Sequence, residues 1–384
     1  MAMDPRPRRP WRAGGPQSVT FVELFFDLVF VFAVTQITAF TAHHLTPEGV
    51  LQAILLFWLI WWAWTQFTWT LNPADTTHRA VRIVTLVATA TAFVMATAVP
   101  GAFGDDGLWF AIPYVVVRVL GLGLQVRVDS ESEGSDHAGL RRWVALSSIG
   151  LALVLIGAIA SPDLRPFVWG LAIVADIFAA ARAGSRETWE LDPAHLAERH
   201  GLIVIIALGE SVIVAGAGVI GEPRSPELVA AVGGALVVAC LLWWTYFGWL
   251  KDAIEHAFAA ADQRRYGMLA RDVYSLTHFP LIGGIIGFAA AVEEIVAHPA
   301  DVASPAVVAA LGVGIILFIG SSALAYRRLT GRLLMARIGA SASVVIALAV
   351  VVALTPLPAW LFGAVAVVLT GLIVIEERSL PPTA

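Results

Sequence analysis

The stretch Phe21-Val22-Glu23-Leu24-Phe25-Phe26-Asp27-Leu28-Val29-Phe30-Val31-Phe32-Ala33-Val34-Thr35-Gln36 opens an apolar run from about 20 to 41 that carries two acids. The run is too long and continuous for a strand, and a barrel strand would alternate apolar with polar residues. About 20 apolar residues suffice for a helix to cross a bilayer. In hydrocarbon every backbone amide must be paired within the protein, which favours a helix. A basic tail (Arg6, Arg8, Arg9, Arg12) precedes the run, as it would in a signal peptide. The run is nevertheless long, holds Glu23 and Asp27 and lacks a small-residue cleavage site, so it reads as a retained helix.

Eleven similar runs follow, near 48–71, 80–100, 107–126, 143–160, 166–181, 201–220, 228–250, 273–292, 303–325, 335–354 and 357–375. The composition agrees. Of 384 residues 58% are apolar and 14% charged, against roughly 45–50% and 25% in soluble domains. Mean hydropathy is +0.80. These values exclude a soluble enzyme, a disordered chain and a nucleic-acid binder, and make the lipid bilayer the first partner. Cys240 is the single cysteine, so there is no internal disulfide framework. No grouping has zinc-ligand spacing, and no nucleotide-binding loop is present. We expect no metal, no cofactor and no enzyme activity.

Lys and Arg in short loops favour the cytoplasmic side. With the N-terminus inside, 21 of the 24 basic residues fall in inner segments, and only Arg165 and Arg224 fall in outer loops. Arg118 lies within the fourth run. An error in helix count would destroy this asymmetry, so twelve spans and cytoplasmic termini support each other. The cytoplasmic (inner) membrane is the expected location.

The chain also repeats itself. Trp64-Thr65-Gln66-Phe67-Thr68-Trp69 matches Trp244-Thr245-Tyr246-Phe247-Gly248-Trp249, and the first run pairs with the seventh, setting Asp27 against Glu210. The expected architecture is all-α: a basic tail (1–19), a first six-helix repeat (20–183), a linker (184–199), a parallel second repeat (200–376) and a short tail (377–384). Transporters built from repeats place their sites near the bilayer midplane between the copies.

A charge at the bilayer centre costs at least about 2.5–3.5 kcal/mol and marks function by default. Glu23 and Asp27, spaced i,i+4, share one helix face. Two carboxylates one turn apart repel unless a cation sits between them or one is protonated, which suits a proton or cation relay. The structural alternative pairs both with inner arginines such as Arg79 or Arg82. Glu210 lies about 13 Å into its helix at 1.5 Å per residue. Gly209 and Ser211 flank it. Arg118 needs a carboxylate; Asp176 is the first choice and Asp27 the second, most simply as a structural pair. His278 follows Arg271 by seven residues on one face, and its imidazole could shuttle protons. Pro280 behind it frees a carbonyl and favours a kink. The tryptophans, Trp58 to Trp69 and Trp243 to Trp249, read as interface belt and packing.

The opening stretch resembles the first signature of the bacterial low temperature requirement A (LtrA) family. Glu198-Arg199-His200-Gly201-Leu202-Ile203-Val204-Ile205-Ile206-Ala207-Leu208-Gly209-Glu210-Ser211 resembles its second signature. His278-Phe279-Pro280-Leu281-Ile282-Gly283-Gly284-Ile285, with Glu293 and Glu294, resembles a third. The resemblance implies a polytopic bacterial inner-membrane protein named for a cold-growth phenotype. Phe25-Phe26-Asp27 is more weakly similar to the first-helix motif of the lysosomal potassium channel family, with Phe26 in place of its serine.

The leading expectation is a secondary transporter or ion-coupled permease for a small solute or ion. Glu23, Asp27, Glu210, Ser211 and His278 would be its binding groups, and Arg79, Arg82 and Arg271 its cytoplasmic charge partners. A cation channel and a non-transporting membrane factor for cold growth are the alternatives. A homo-oligomer is compatible with either.

Overall fold

The computed structural model describes residues 11–15, 17–131, 137–183, 191–355 and 357–379. Arg6, Arg8 and Arg9 of the tail, Glu133, Asp136, Arg186, Pro356 and residues 380–384 lie outside the described residues. The described chain is helical: α1 (Phe21–His43), α2 (Pro47–Leu71), α3 (Arg79–Thr97), α4 (Gly107–Asp129), α5 (His137–Ile159), α6 (Arg165–Ala183), α7 (Pro193–Ala217), α8 (Pro226–Phe247), α9 (Leu250–Ala259), α10 (Tyr266–Ala270), α11 (His278–Ala297), α12 (Pro305–Thr330), α13 (Met335–Leu354) and α14 (Ala359–Ser379). Among the described residues there is no strand, only an isolated bridge between Arg12 and Ala74. Twelve helices run 19 residues or more, and eleven segments are long and apolar enough to cross a membrane. The twelfth long helix, α6, carries three charges, Arg165, Asp176 and Arg182.

Large apolar side chains point outward along these helices, among them Phe167, Leu171 and Val174 on α6 and Val345, Ile346 and Val350 on α13. Patches of this extent would drive a water-soluble chain to associate. In a bilayer they meet lipid, and the chain is a multi-pass membrane protein.

Two compact units divide it. The first takes α1 up to Ala33, α2 from Trp58, α3 to α6, α7 up to Arg199, and Gln263–Gly267. The second takes Val34–Phe57, His200–Asp262 and the chain from Met268 onward.

Helix ends follow local chemistry. Ser225 caps α8 by accepting from Leu228 N at 3.1 Å, and Ser304 caps α12 by accepting from Val307 N at 3.3 Å. Each is followed by proline at the first helical position, where the missing N–H costs nothing. Gly331 ends α12 in the left-handed conformation, φ 73°. In the first unit Arg165 is buried and donates to four carbonyls: Gly157 O (3.2 Å), Ala158 O (3.2 Å), Ala102 O (2.8 Å) and Gly104 O (2.7 Å). These belong to the last turn of α5 and the turn after α3, where carbonyls lack intrahelical partners. This accounts for an arginine in a loop that the charge pattern assigns to the outer side.

In the second unit α11 and α12 meet backbone to backbone. A Cβ on Gly314 would lie 2.7 Å from Gly284 O and 2.8 Å from Phe288 N. Membrane helices lack a hydrophobic drive to associate and gain instead from such close approach. Before α11 the chain makes a π-helical turn, Arg271–Leu276. Pro280 has no N–H for Leu276 O and its ring crowds that carbonyl, so the helix widens one turn earlier.

Candidate functional site

Thr20 and Glu23 begin the first site. Glu23 Oε2 accepts from Thr20 N and Thr20 Oγ1, both at 2.9 Å. The bond to Thr20 N is the glutamate half of a capping box. Its other oxygen, Oε1, takes Arg199 Nη1 at 3.1 Å and lies 3.1 Å from His195 Nε2. One turn on, Asp27 Oδ1 accepts from Arg199 Nη2 and from the Trp64 indole, the latter at 2.7 Å. Two i,i+4 ladders therefore face each other: Glu23 and Asp27 on α1, His195 and Arg199 on α7. All four side chains are buried. The Arg199 guanidinium also lies 5.8 Å from the centre of the Trp64 ring, within cation–π range.

The ladders are held in register by Asn72 at the end of α2. Its Nδ2 donates to Asp192 O (3.0 Å) and its Oδ1 accepts from Asp192 N (2.8 Å), which fixes the amide's orientation. Asp192 in turn caps α7 through Ala194 N (3.0 Å) and His195 N (3.3 Å). Asn72 Nδ2, which can only donate, also faces His195 Nδ1 at 3.3 Å. The imidazole proton accordingly belongs on Nε2, beside Glu23. With His195 neutral the cluster holds two carboxyl groups and one guanidinium, and Asp27 Oδ2 is buried without a hydrogen-bond partner.

Glu210, in the second unit, is placed differently. It is 2% exposed on α7. Its Oε2 accepts from the Thr35 hydroxyl at 2.6 Å, and its Oε1 is buried without a partner. A neutral hydroxyl is the group that meets this carboxyl. Ser211 beside it turns back on its own helix and donates to Leu208 O at 2.7 Å.

The family model of the bacterial low temperature requirement A protein (LtrA) matches residues 18–374. The chain belongs to that family. It is 30% identical over 289 residues to an uncharacterized protein of Rhizobium meliloti (strain 1021), which covers 73% of this chain and 70% of the relative. No solved structure matches it.

The stretches that resemble LtrA signatures hold both acids of the α1 ladder in the first, and Arg199 of the α7 ladder together with Glu210 in the second. The sequence pattern alone does not point to His195, Asn72, Trp64 or Thr35 as site residues. One signal was available, since His195 and Arg199 repeat the i,i+4 spacing of Glu23 and Asp27. The sequence pattern points to Arg79 and Arg82 as partners for those acids; the structure places Arg199 there instead. Arg199 holds them, while Arg79 and Arg82 are exposed at the start of α3, with Arg82 Nε donating to Thr76 O at 3.1 Å. Trp64, expected to serve belt or packing, is a buried donor to Asp27.

Arg118 Nη2 lies 3.4 Å from Asp176 Oδ1, and its Nη1 donates to Tyr114 OH at 3.1 Å. His278 is buried with both ring nitrogens engaged, Nδ1 by Val273 O and Nε2 by Tyr246 OH, each at 2.8 Å. Val273 O can only accept, so the ring proton sits on Nδ1 and the tyrosine donates to Nε2. Arg271 pairs with its neighbour Asp272 at 2.6 Å, and Arg328 reaches the same carboxylate at 2.7 Å. A further buried pair had no counterpart in the sequence reading: Arg337 meets Glu376 in two parallel bonds of 2.7 and 2.9 Å, with Trp249 donating to Glu376 at 3.0 Å. Among the described residues, no group of three or more His, Cys, Asp or Glu is arranged to hold a metal ion.

Proposed function

We propose that the protein is an ion-coupled secondary transporter in which Glu210 carries the coupling proton or cation. The observation that carries this reading is the Glu210 carboxyl itself, buried in a spanning helix, met by one hydroxyl, with its second oxygen unpartnered. A carboxylate left so in a dry interior is unstable unless a proton or a cation joins it. Asp27 is the second candidate, since Oδ2 stays open while Arg199 and Trp64 hold Oδ1. Glu23, with three hydrogen-bond donors on its carboxylate and His195 Nε2 3.1 Å away, anchors the clamp. The arginine asymmetry supports cytoplasmic termini in the inner membrane, and the Trp64–Trp69 and Trp244–Trp249 similarity supports two six-helix repeats.

The Arg199 clamp favours a second reading, a non-transporting membrane factor, because an arginine holding both acids of α1 is what a static scaffold would need. One experiment separates the two. Purified protein is reconstituted in liposomes loaded with a pH-sensitive dye and challenged with amino acids, amines, sugars and metal cations. The transporter reading expects solute-dependent proton or charge movement that Glu210→Gln abolishes and Glu210→Asp retains in part. Liposomes as tight as protein-free ones towards every solute support the scaffold. Solute-dependent movement unchanged in Glu210→Gln removes Glu210 from the mechanism.

A further inference from the structure

Among the described residues three arginines are fully buried within helices, and they differ in how well they are satisfied. Arg337 uses Nε, Nη1 and Nη2 in bonds of 2.6–2.9 Å to Glu376, Ser322 Oγ and Thr245 O. Arg199 bridges two carboxylates. Arg118 has only the 3.1 Å bond to Tyr114 and the long 3.4 Å contact to Asp176, and its Nε has no partner. In the same unit Gln66 on α2 is buried with both amide atoms unpartnered, and Ser147 on α5 is buried with Oγ unpartnered. Orphaned polar groups are costly in any protein interior and more so within a bilayer.

Neighbouring contacts set these residues on adjacent levels of α2, α4 and α5. On α4, Gly121 sits one turn after Arg118, and a Cβ there would lie 3.1 Å from Gln66 Cδ. On α2, Trp62 sits one turn before Gln66 and faces Asp176, the partner of Arg118. On α5, a Cβ on Gly150 would lie 3.0 Å from Asp176 Oδ1, and Trp143 donates to Gln125 of α4 at 3.0 Å. Ser147 lies between Trp143 and Gly150 on that stripe, four and three residues away. One helical turn therefore separates the Arg118–Asp176 level from a level shared by Gln66, Gly121 and Ser147.

We propose that Gln66, Arg118 and Ser147 form a binding site for a small solute of no net charge that carries an acceptor oxygen beside N–H donors. Amides and amino-acid zwitterions share this chemistry. Arg118 Nε and Gln66 Nε2 donate to the oxygen; Gln66 Oε1 and Ser147 Oγ accept from the nitrogen. The Arg118–Asp176 pair is neutral as it stands, so a lone anion or cation would leave an unbalanced charge in the dry interior. The site concerns binding without any gradient, and it stands or falls apart from the role of Glu210.

The test uses the full chain in detergent, with glycine and acetamide as probes and acetate and methylammonium as charged controls. The thermal unfolding midpoint should rise saturably with glycine, acetamide or both, and with neither control. Glycine alone assigns a zwitterion and acetamide alone an amide. Ser147→Ala should weaken the response by roughly tenfold. Gln66→Leu should abolish it while leaving the ligand-free midpoint unchanged or higher, because it removes two unsatisfied groups. The proposal is overturned if neither probe shifts wild type, if the controls shift it equally, if Ser147→Ala binds as wild type, or if Gln66→Leu lowers the ligand-free midpoint.

Discussion

Replacing Arg199 by methionine keeps most of the side chain's volume and deletes its charge. Glu23 loses a donor at 3.1 Å and Asp27 loses its guanidinium, with both acids fully buried. Removing one partner of a buried ion pair costs about 3–5 kcal/mol. One guanidinium serves two carboxylates here, which puts the expected loss near the top of that range. The bonds from Thr20 and Trp64 remain and keep it from going higher. Adding Asp27→Asn should recover about 2–3 kcal/mol, since the replacing amide can still accept from Trp64 and no longer carries charge. Adding Glu23→Gln should recover less, because Thr20 and His195 already stabilise that carboxylate. The assay is reversible unfolding in mixed micelles followed by tryptophan fluorescence, read as a double-mutant cycle. A loss below about 1 kcal/mol for Arg199→Met, or strict additivity with Asp27→Asn, would show that the clamp does not balance these charges.

Two further outcomes test the frame that carries the site. Arg165→Ala strands four carbonyls now met at 2.7–3.2 Å and should cost about 3 kcal/mol, with Arg165→Lys recovering at most half because an ammonium lacks the planar fork; thermal midpoints decide it. Gly314→Val drives a side chain into Gly284 O and Phe288 N and should cost more than about 3 kcal/mol, read as loss of monodisperse protein on size exclusion. Gly320→Ala on the same helix, where nothing lies within 4 Å, should stay within about 0.5 kcal/mol of wild type.

The long helices were legible because lipid demands unbroken apolar length, and hydropathy reports that length directly. It does not report where a helix begins. The apolar run of α7 starts near residue 201, and residues 184–199 read as a linker, yet α7 starts at Pro193. Its start is set by the Asp192 cap and by Asn72, 120 residues earlier in the chain. The two polar turns ahead of the apolar run are the ones that carry His195 and Arg199. The partner of Glu23 and Asp27 was therefore hidden in what looked like a loop, and Arg79 and Arg82 were offered instead. The π-helical turn before α11 leaves no trace in hydropathy either. Pro280 was its one signal, and proline tells that a helix is disturbed without telling that the disturbance spreads over Arg271–Leu276. A guanidinium in mid-helix announces its need for a carboxylate, but which of its N–H groups stays unmet depends on side chains from other helices.

Burial alone does not distinguish a scaffold acid from a working one, because nearly every acid discussed here is buried. Satisfaction does. Glu376 has both oxygens in an arginine fork and a tryptophan besides. Glu23 has two donors on one oxygen, and on the other an arginine donor with His195 close by. Asp27 has one oxygen doubly met and the other unmet, and Glu210 has a single hydroxyl. The free energy needed to bring a proton or cation onto an acid rises with the donors it must give up, since each is a charge-assisted bond worth about 1.5–3 kcal/mol. Along this series the acids grow less suited to holding the fold and more suited to loading and unloading an ion. Neutralising Glu376 or Glu23 should thus act on stability first, whereas neutralising Glu210 should leave the fold intact and act on transport.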